Sequence, residues 1–335
     1  MIGLMPPLKK RHKKSFKEQL AFMFKWIKKG KIFEIPSRTW WRQTHTALPT
    51  PFLINKNIIR VFYTSRDKEQ RSRISFFDVD AKNPAEILYS HADPILELGG
   101  IGTFDELGMT SSCFIKRKSQ FLFFYNGYNI GAPVARYRVA MGLGMSNSLG
   151  KKVFRKYSSG PILDRTSAAP CGSATPFVMF DEGRWRMWYS AFMRWEIVHK
   201  APEPFYNIKY AESADAISWK LREKACINFQ SDEAGIVRPS VIKLNGFYHM
   251  WFSVRKKSGY RDNKNKSYRI AYAISKDGLS WKRYTDVHGL ELSAVGWDSQ
   301  MMAYPYAMRY GDKLYMFYNG NGFGQSGIGL AVADL

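Results

Sequence analysis

The chain has 335 residues, 45% of them hydrophobic and 16% aromatic, with a formal net charge of +23. That is enough apolar material for a large core, and no apolar run is long enough to span a membrane. Three cysteines, Cys113, Cys171 and Cys226, show neither metal-ligand spacing nor a disulfide framework, so no metal or cofactor is expected and a reducing, cytoplasmic setting is.

Residues 1–31 carry ten Lys or Arg against the single Glu18. No signal-peptide pattern follows the basic start. Ser15 and Glu18 fit a capping box for a helix over Ser15–Lys29, with Phe16, Leu20, Met23, Phe24 and Ile27 on one face. Such a helix either packs on the body of the protein or brings residues 8–31 to an anionic membrane surface. The surplus charge elsewhere suits an acidic partner, such as a phosphorylated sugar or anionic glycan. No nucleic-acid recognition motif is present, so nucleic acid is not expected.

From residue 32 onward one pattern recurs. Asp232-Glu233-Ala234-Gly235-Ile236-Val237-Arg238-Pro239 aligns without gaps with Asp105 to Ser112, with Asp298 to Pro305, with Ala169 to Pro176 and, more weakly, with Thr44 to Pro51. Each copy leads through a tight turn into an aromatic strand: Arg60–Tyr63, Leu122–Tyr125, Arg186–Tyr189, His249–Phe252 and Tyr315–Tyr318. A third strand follows each, then a turn such as Ser275-Lys276-Asp277-Gly278-Leu279-Ser280-Trp281 into a short fourth. The expected fold is all-β: a five-bladed β-propeller of four-stranded blades over residues 32–335. The last copy runs out after its third strand, so Ile32–Ile35 is expected to supply the fourth and close the ring.

Alternating strand direction places the inter-blade linkers and the second-to-third-strand loops on one face. His45, Asp105, Glu106, Asp232, Glu233 and Asp298 come from the linkers, and Arg66, Arg194, Trp195, Arg255 and Arg261 from the loops. Thr50, Ser111, Thr175, Arg238 and Tyr304 precede the proline column and are expected to ring the channel. Arg238 would meet either an anionic ligand or a carboxylate, Glu233 or Asp298.

These repeats, the Phe104-Asp105-x-x-Gly108 and Gly296-Trp297-Asp298 leads and the Ser-x-Asp-Gly-x-Ser-Trp turn resemble the five-bladed propeller glycosidase superfamily. It includes invertases and levansucrases, arabinanases and xylosidases, and mannoside phosphorylases. The resemblance implies a carbohydrate substrate and catalytic acids on the inner strands. No acid stands in the pre-proline column here, so those acids have no direct counterpart. Glycoside hydrolysis needs two carboxyls, about 5 Å apart for retention and roughly 6.5–9.5 Å for inversion. Asp105, Glu233 and Asp298 are the candidate catalytic acids. His45, Arg66, Glu106, Ser111, Thr175, Trp195, Asp232, Arg238, Arg255 and Tyr304 are the candidate substrate-binding residues. The expected function is glycoside hydrolysis or related glycosyl transfer on an anionic glycan. Phosphorolysis and non-catalytic glycan binding are the alternatives.

Overall fold

A computed structural model describes residues 24–131, 134–150, 154–284 and 290–335. Its described residues form twenty strands and one short helical turn at Asn321–Gly324. The strands group as four-stranded antiparallel units. The first holds β2 (Thr44–Asn55), β3 (Ile58–Arg66), β4 (Ser72–Asp80) and β5 (Ile87–Ser90). The second holds β6 (Gly108–Arg117), β7 (Gln120–Asn129), β8 (Arg138–Ser146) and β9 (Arg155–Lys156). The third holds β10 (Gly172–Asp181), β11 (Arg184–Val198), β12 (Ala201–Ser213) and β13 (Lys220–Leu221). The fourth holds β14 (Glu233–Leu244), β15 (Phe247–Lys256), β16 (Arg269–Ser275) and β17 (Trp281–Tyr284). In the last, β18 (Ala303–Tyr310), β19 (Lys313–Asn319) and β20 (Ile328–Asp334) are joined by β1 (Ile27–Phe33) from the other end of the chain. Single parallel pairs, Ser72 with Gly108 and Tyr206 with Gly235, link neighbouring units into two eight-stranded sheets.

β1 corrects two expectations. The strand begins at Ile27, so residues 27–29 are extended where a helix was expected, and it crosses the expected boundary at residue 31. The reason is the pairing itself: Ile27 to Phe33 lie opposite Val332 to Ile328, and the open edge of β20 satisfies their backbone groups. Glu34 and Ile35 lie beyond it. Ahead of β1, Phe24 packs edge-on against His249 and Trp251. Ser15, Phe16, Glu18, Leu20 and Met23 lie outside the described residues.

The aromatic middle strands read as continuous apolar runs because both faces are covered. Leu122, Met141, Val178, Met187 and Tyr189, from the second and third units, share one core cluster. The Ser-x-Asp turns form as the sequence implies. Asp277 Oδ1 accepts the backbone N–H groups of Leu279 and Ser280, and Gly278 takes a positive φ of 75° beside Trp188, where a Cβ would crowd the indole.

Every inner strand carries a register shift at the proline column: Ala47/Thr50, Ser111/Cys113, Ala174/Phe177, Val237/Ser240 and Ala303/Tyr306. The backbone N–H released there is taken by a side chain at the end of the previous unit's middle strand. Thr64 holds Ser111 N, Asn126 holds Thr175 N, Ser253 holds Tyr304 N and Asn319 holds Leu48 N. Between the third and fourth units Thr175 relays: its hydroxyl bonds Ser190 and accepts Arg238 N. Backbone donors that the bulge would leave unpaired thus become the contacts between units.

Candidate functional site

The three candidate acids lie in equivalent places, each neutralised inside its own unit. Asp105 accepts the Tyr125 hydroxyl at 2.9 Å and pairs with Lys156 of β9 at 2.6 Å. Asp298 accepts the Tyr318 hydroxyl at 3.0 Å and pairs with Lys28 of β1 at 2.7 Å. In the fourth unit Phe252 replaces the tyrosine, and the longer Glu233 takes a two-pronged bond from Arg283 of β17, both contacts at 2.7 Å. Asp105 and Asp298 are 1% exposed and Glu233 6%. Their neighbours are no closer to forming a pair: Glu106 accepts Gly102 N, and Asp232 bridges to Lys256 at the surface. No hydrogen bond or ion pair among the described residues joins one of these acids to another. Each of Asp105, Glu106, Asp232 and Glu233 is engaged within its own unit. The bases that hold Asp105, Glu233 and Asp298 sit on the outermost strands, far away in sequence.

The pre-proline residues do come together. The Arg238 guanidinium donates to Thr50 Oγ1 at 2.7 Å, Pro49 O at 2.9 Å and Ser111 O at 3.1 Å, and lies over the Tyr306 ring. Thr50 and Ser111 bond each other through their hydroxyls. The expected salt bridge from Arg238 to Glu233 or Asp298 is absent; both acids already have bases. Backbone carbonyls take their place, and Arg238 ties three inner strands together from inside. It is 1% exposed, and burial pulls its pKa down to about 10. Arg66, Arg194, Arg255 and Arg261 do not converge on it. Arg194 pairs with Glu196, while Arg255 and Arg261 turn to Glu203.

Above this interior lies a layer that sequence reasoning largely missed. Tyr128, Tyr137, Tyr206, Tyr260, Tyr268 and Tyr304 belong to one cluster contributed by four units. Tyr206 and Tyr268 bond hydroxyl to hydroxyl, and Arg255 donates to Tyr206 at 3.0 Å. Glu203 accepts from Tyr260 at 2.8 Å and from Arg261 at 2.9 Å. Tyr128, Tyr137 and Tyr304 are half-buried residues, as is Trp195, which stands edge-on to Tyr137. The sequence signal was there: four of these tyrosines flank the second-to-third-strand loops, a polar tip on an apolar ring at the wet end of each strand.

Arg66, at the end of β3, completes the layer from the first unit. It is half-buried and close enough to act electrostatically on Tyr128, Tyr304 and His45. Among the described residues no side-chain hydrogen bond or ion pair engages its guanidinium. His45 is buried in a left-handed backbone conformation with its Nδ1 on Thr44 Oγ1. Burial, aided by the positive charge of Arg66, lowers its pKa to about 3, so it is neutral at pH 7. Among the described residues no cluster of His, Cys, Asp and Glu could hold a metal. The arrangement can stack aromatic faces on a flat ligand and offer one unmatched positive charge.

The fold is shared with solved structures described as glycoside hydrolases. A glycoside hydrolase superposes with a TM-score of 0.73 at 16% identity over 97% of this chain and 96% of its own. A complex of BT0996 with RGII does so at 0.73 and 15%, over 95% and 94%. A structure described under the GH130 family of mannoside phosphorylases gives 0.63 and 13%, over 88% and 85%. No family model matches the chain. By sequence, the chain belongs to the same family as two Mycobacterium tuberculosis proteins, Uncharacterized protein MT1551 (strain CDC 1551 / Oshkosh) and Uncharacterized protein Rv1502 (strain ATCC 25618 / H37Rv). Each is 32% identical over 311 residues, covering 92% of this chain and 99% of its own length. A shorter stretch of 79 residues is 28% identical to the 1,2-beta-oligomannan phosphorylase of Thermoanaerobacter sp. (strain X514), covering 23% of this chain and 25% of that protein.

Proposed function

We propose that the protein is a carbohydrate-active propeller of five blades, closed by β1, whose glycan site is the arginine–tyrosine layer at the mouth. Fold kinship with glycoside hydrolases and mannoside phosphorylases supports the substrate class. The observation that carries the site is Arg66, a half-buried guanidinium among Tyr128, Tyr304 and His45 with no acceptor among the described residues. Burying such a charge unpaired is costly, and a phosphate or carboxylate on the sugar would offset that cost. Partly exposed Tyr128, Tyr137, Tyr304 and Trp195 provide stacking faces. The substrate is accordingly an anionic glycan.

Asp105, Glu233 and Asp298 then serve as struts between the linker and outer strand of each unit rather than as catalytic acids. The carboxylate that the tyrosine layer touches is Glu203, which lies beside Arg255 and Arg261. The ion pairs that already engage Asp105, Glu233 and Asp298 favour phosphorolysis, in which inorganic phosphate is the nucleophile, or binding without turnover.

Calorimetric titration with sugar phosphates and their neutral parents tests the site. The charged sugars should bind and Arg66→Gln should weaken them at least tenfold, about 1.4 kcal/mol. Equal binding of charged and neutral sugars, or an unaffected variant, overturns the reading. Oligosaccharide turnover with and without inorganic phosphate separates the chemistries. Phosphate-dependent release marks phosphorolysis, phosphate-independent release marks hydrolysis, and binding without release marks a lectin-like module.

A further inference from the structure

Beside Tyr137 the mouth opens sideways into a cleft of about 350 Å³ lined by Ile130, Tyr137, Cys171 and Trp195, with Arg138 and Arg165. Trp195 faces Tyr137 from strand β11. Side chains two apart on a strand share a face, so Ile197 carries the apolar side of Trp195 outward toward the tip of the β11–β12 hairpin. Ile197 is 61% exposed and Ile130, on the loop after β7, 70%. Both are large branched side chains held in water, Ile197 near the end of β11 and Ile130 on a loop.

The charge around them is one-sided. Arg138 faces Asp164 at 3.8 Å and Arg194 bonds Glu196. Arg136, Arg165 and Lys200 have no acidic partner among the described residues. Exposed aliphatic tips with unmatched cations in the same connecting segments and cleft are the chemistry of a surface that dips into the headgroup layer of an anionic bilayer. No described helix is long and apolar enough to cross a membrane.

We propose that this edge of the mouth docks on an anionic lipid bilayer, with Ile130 and Ile197 entering the interface and Arg136, Arg165 and Lys200 meeting lipid phosphates. Resting on the glycan site proposed above, it follows that the glycan presented to the mouth is anchored in lipid. The cleft then leads from the membrane plane to Tyr137 and on to Tyr128, whose rings lie 5.7 Å apart.

Co-sedimentation of the full chain with vesicles decides this. Wild type should bind phosphatidylcholine vesicles containing phosphatidylglycerol, and not phosphatidylcholine alone. Ile130→Ser/Ile197→Ser should weaken that binding about tenfold, and so should Arg136→Gln/Arg165→Gln. If the first variant does not fold, the second, at exposed arginines, decides. Wild-type binding that neither variant weakens, binding to neutral vesicles equally well, or no vesicle binding at all overturns the proposal. Titration with a soluble sugar phosphate should be unchanged in both variants. Vesicle binding without sugar binding in the wild type would sink the glycan site and leave the docking surface standing.

Discussion

Arg66 and Arg238 are both arginines on strands of the fold, and their surroundings are opposite. Arg238 is sealed in, with two carbonyls and a hydroxyl around its guanidinium. Arg66 is half-exposed among tyrosine rings with no acceptor among the described residues. The same residue type is a bolt in one place and an open hand in the other. What distinguishes them is whether the protein itself supplies the acceptors. An arginine whose terminal nitrogens all meet protein acceptors holds the structure; one without acceptors among aromatic rings is available to a ligand.

The sharpest way to break this comparison is to create an unused arginine where none should exist. Glu233→Gln keeps the size of the side chain and strips Arg283 of its buried carboxylate. Removing one partner of a buried pair costs about 3–5 kcal/mol, so chemical denaturation should show a loss of that order. Asp232→Asn, next to it on the exposed surface, should change stability by no more than about 0.5 kcal/mol. If Glu233→Gln is as stable as wild type and loses only turnover, the strut role is wrong and catalysis by that acid returns.

A smaller effect is expected at the two arginines themselves. Arg238→Ala leaves a cavity and unbonded carbonyls. Losing the charge's own burial cost offsets part of this, for a net destabilisation of about 2 kcal/mol. Arg66→Ala, with no acceptor to abandon, should stay within about 0.5 kcal/mol of wild type. Equal destabilisation by both would erase the distinction between them.

The smallest effect lies in the pH dependence. His45 and His249 are buried, and burial lowers their pKa values to about 3 and about 4. Each takes up a proton more readily when unfolded, near pH 6.5, so the stability they contribute is complete above that value and falls as the pH drops toward 4. Lowering the pH to 6 should cost about 1 kcal/mol per histidine, read as a falling thermal midpoint. His249→Gln should flatten that fall. Because the charge on Arg66 helps to lower the pKa of His45, Arg66→Gln should move the imidazole titration upward in an NMR series. An unchanged titration would place Arg66 too far from His45 to share a site.

The units were legible in the sequence because a bulge column, a tight turn and an aromatic strand recur at nearly constant spacing. Those features are local, and each fixes its own backbone. Asp105 and Glu233 were visible as recurring acids, but their meaning depended on Lys156 and Arg283. Those two arrive only on the fourth strand of their units and have no motif of their own. Arg238 stood out as the cation in a polar column. Its acceptors, however, are the backbone oxygens of Pro49 and Ser111, and every residue has such an oxygen. The tyrosine layer was missed because Tyr128, Tyr206 and the pair Tyr260 and Tyr268 are far apart in sequence and share no motif. Only the arrangement of the units brings them to one place. β1 was anticipated in role and misplaced by several residues, since a basic stretch such as Ile27-Lys28-Lys29-Gly30-Lys31 has no strand signature until an open edge is offered to it.

That loan of β1 to the far end of the chain has a consequence for synthesis. A nascent chain emerging in order can complete its interior units one after another, each from contiguous sequence. The β18–β20 unit is different, since its outermost strand is made ahead of the other four units and its other three strands after them. Until β20 leaves the ribosome, the basic segment that becomes β1 has no edge to join, and Asp298 lacks its lysine. Pairings of such separation form late and slowly. Moving β1 to follow β20 by circular permutation would turn this slow, long-range step into a local hairpin. The permuted chain should refold faster than the natural one.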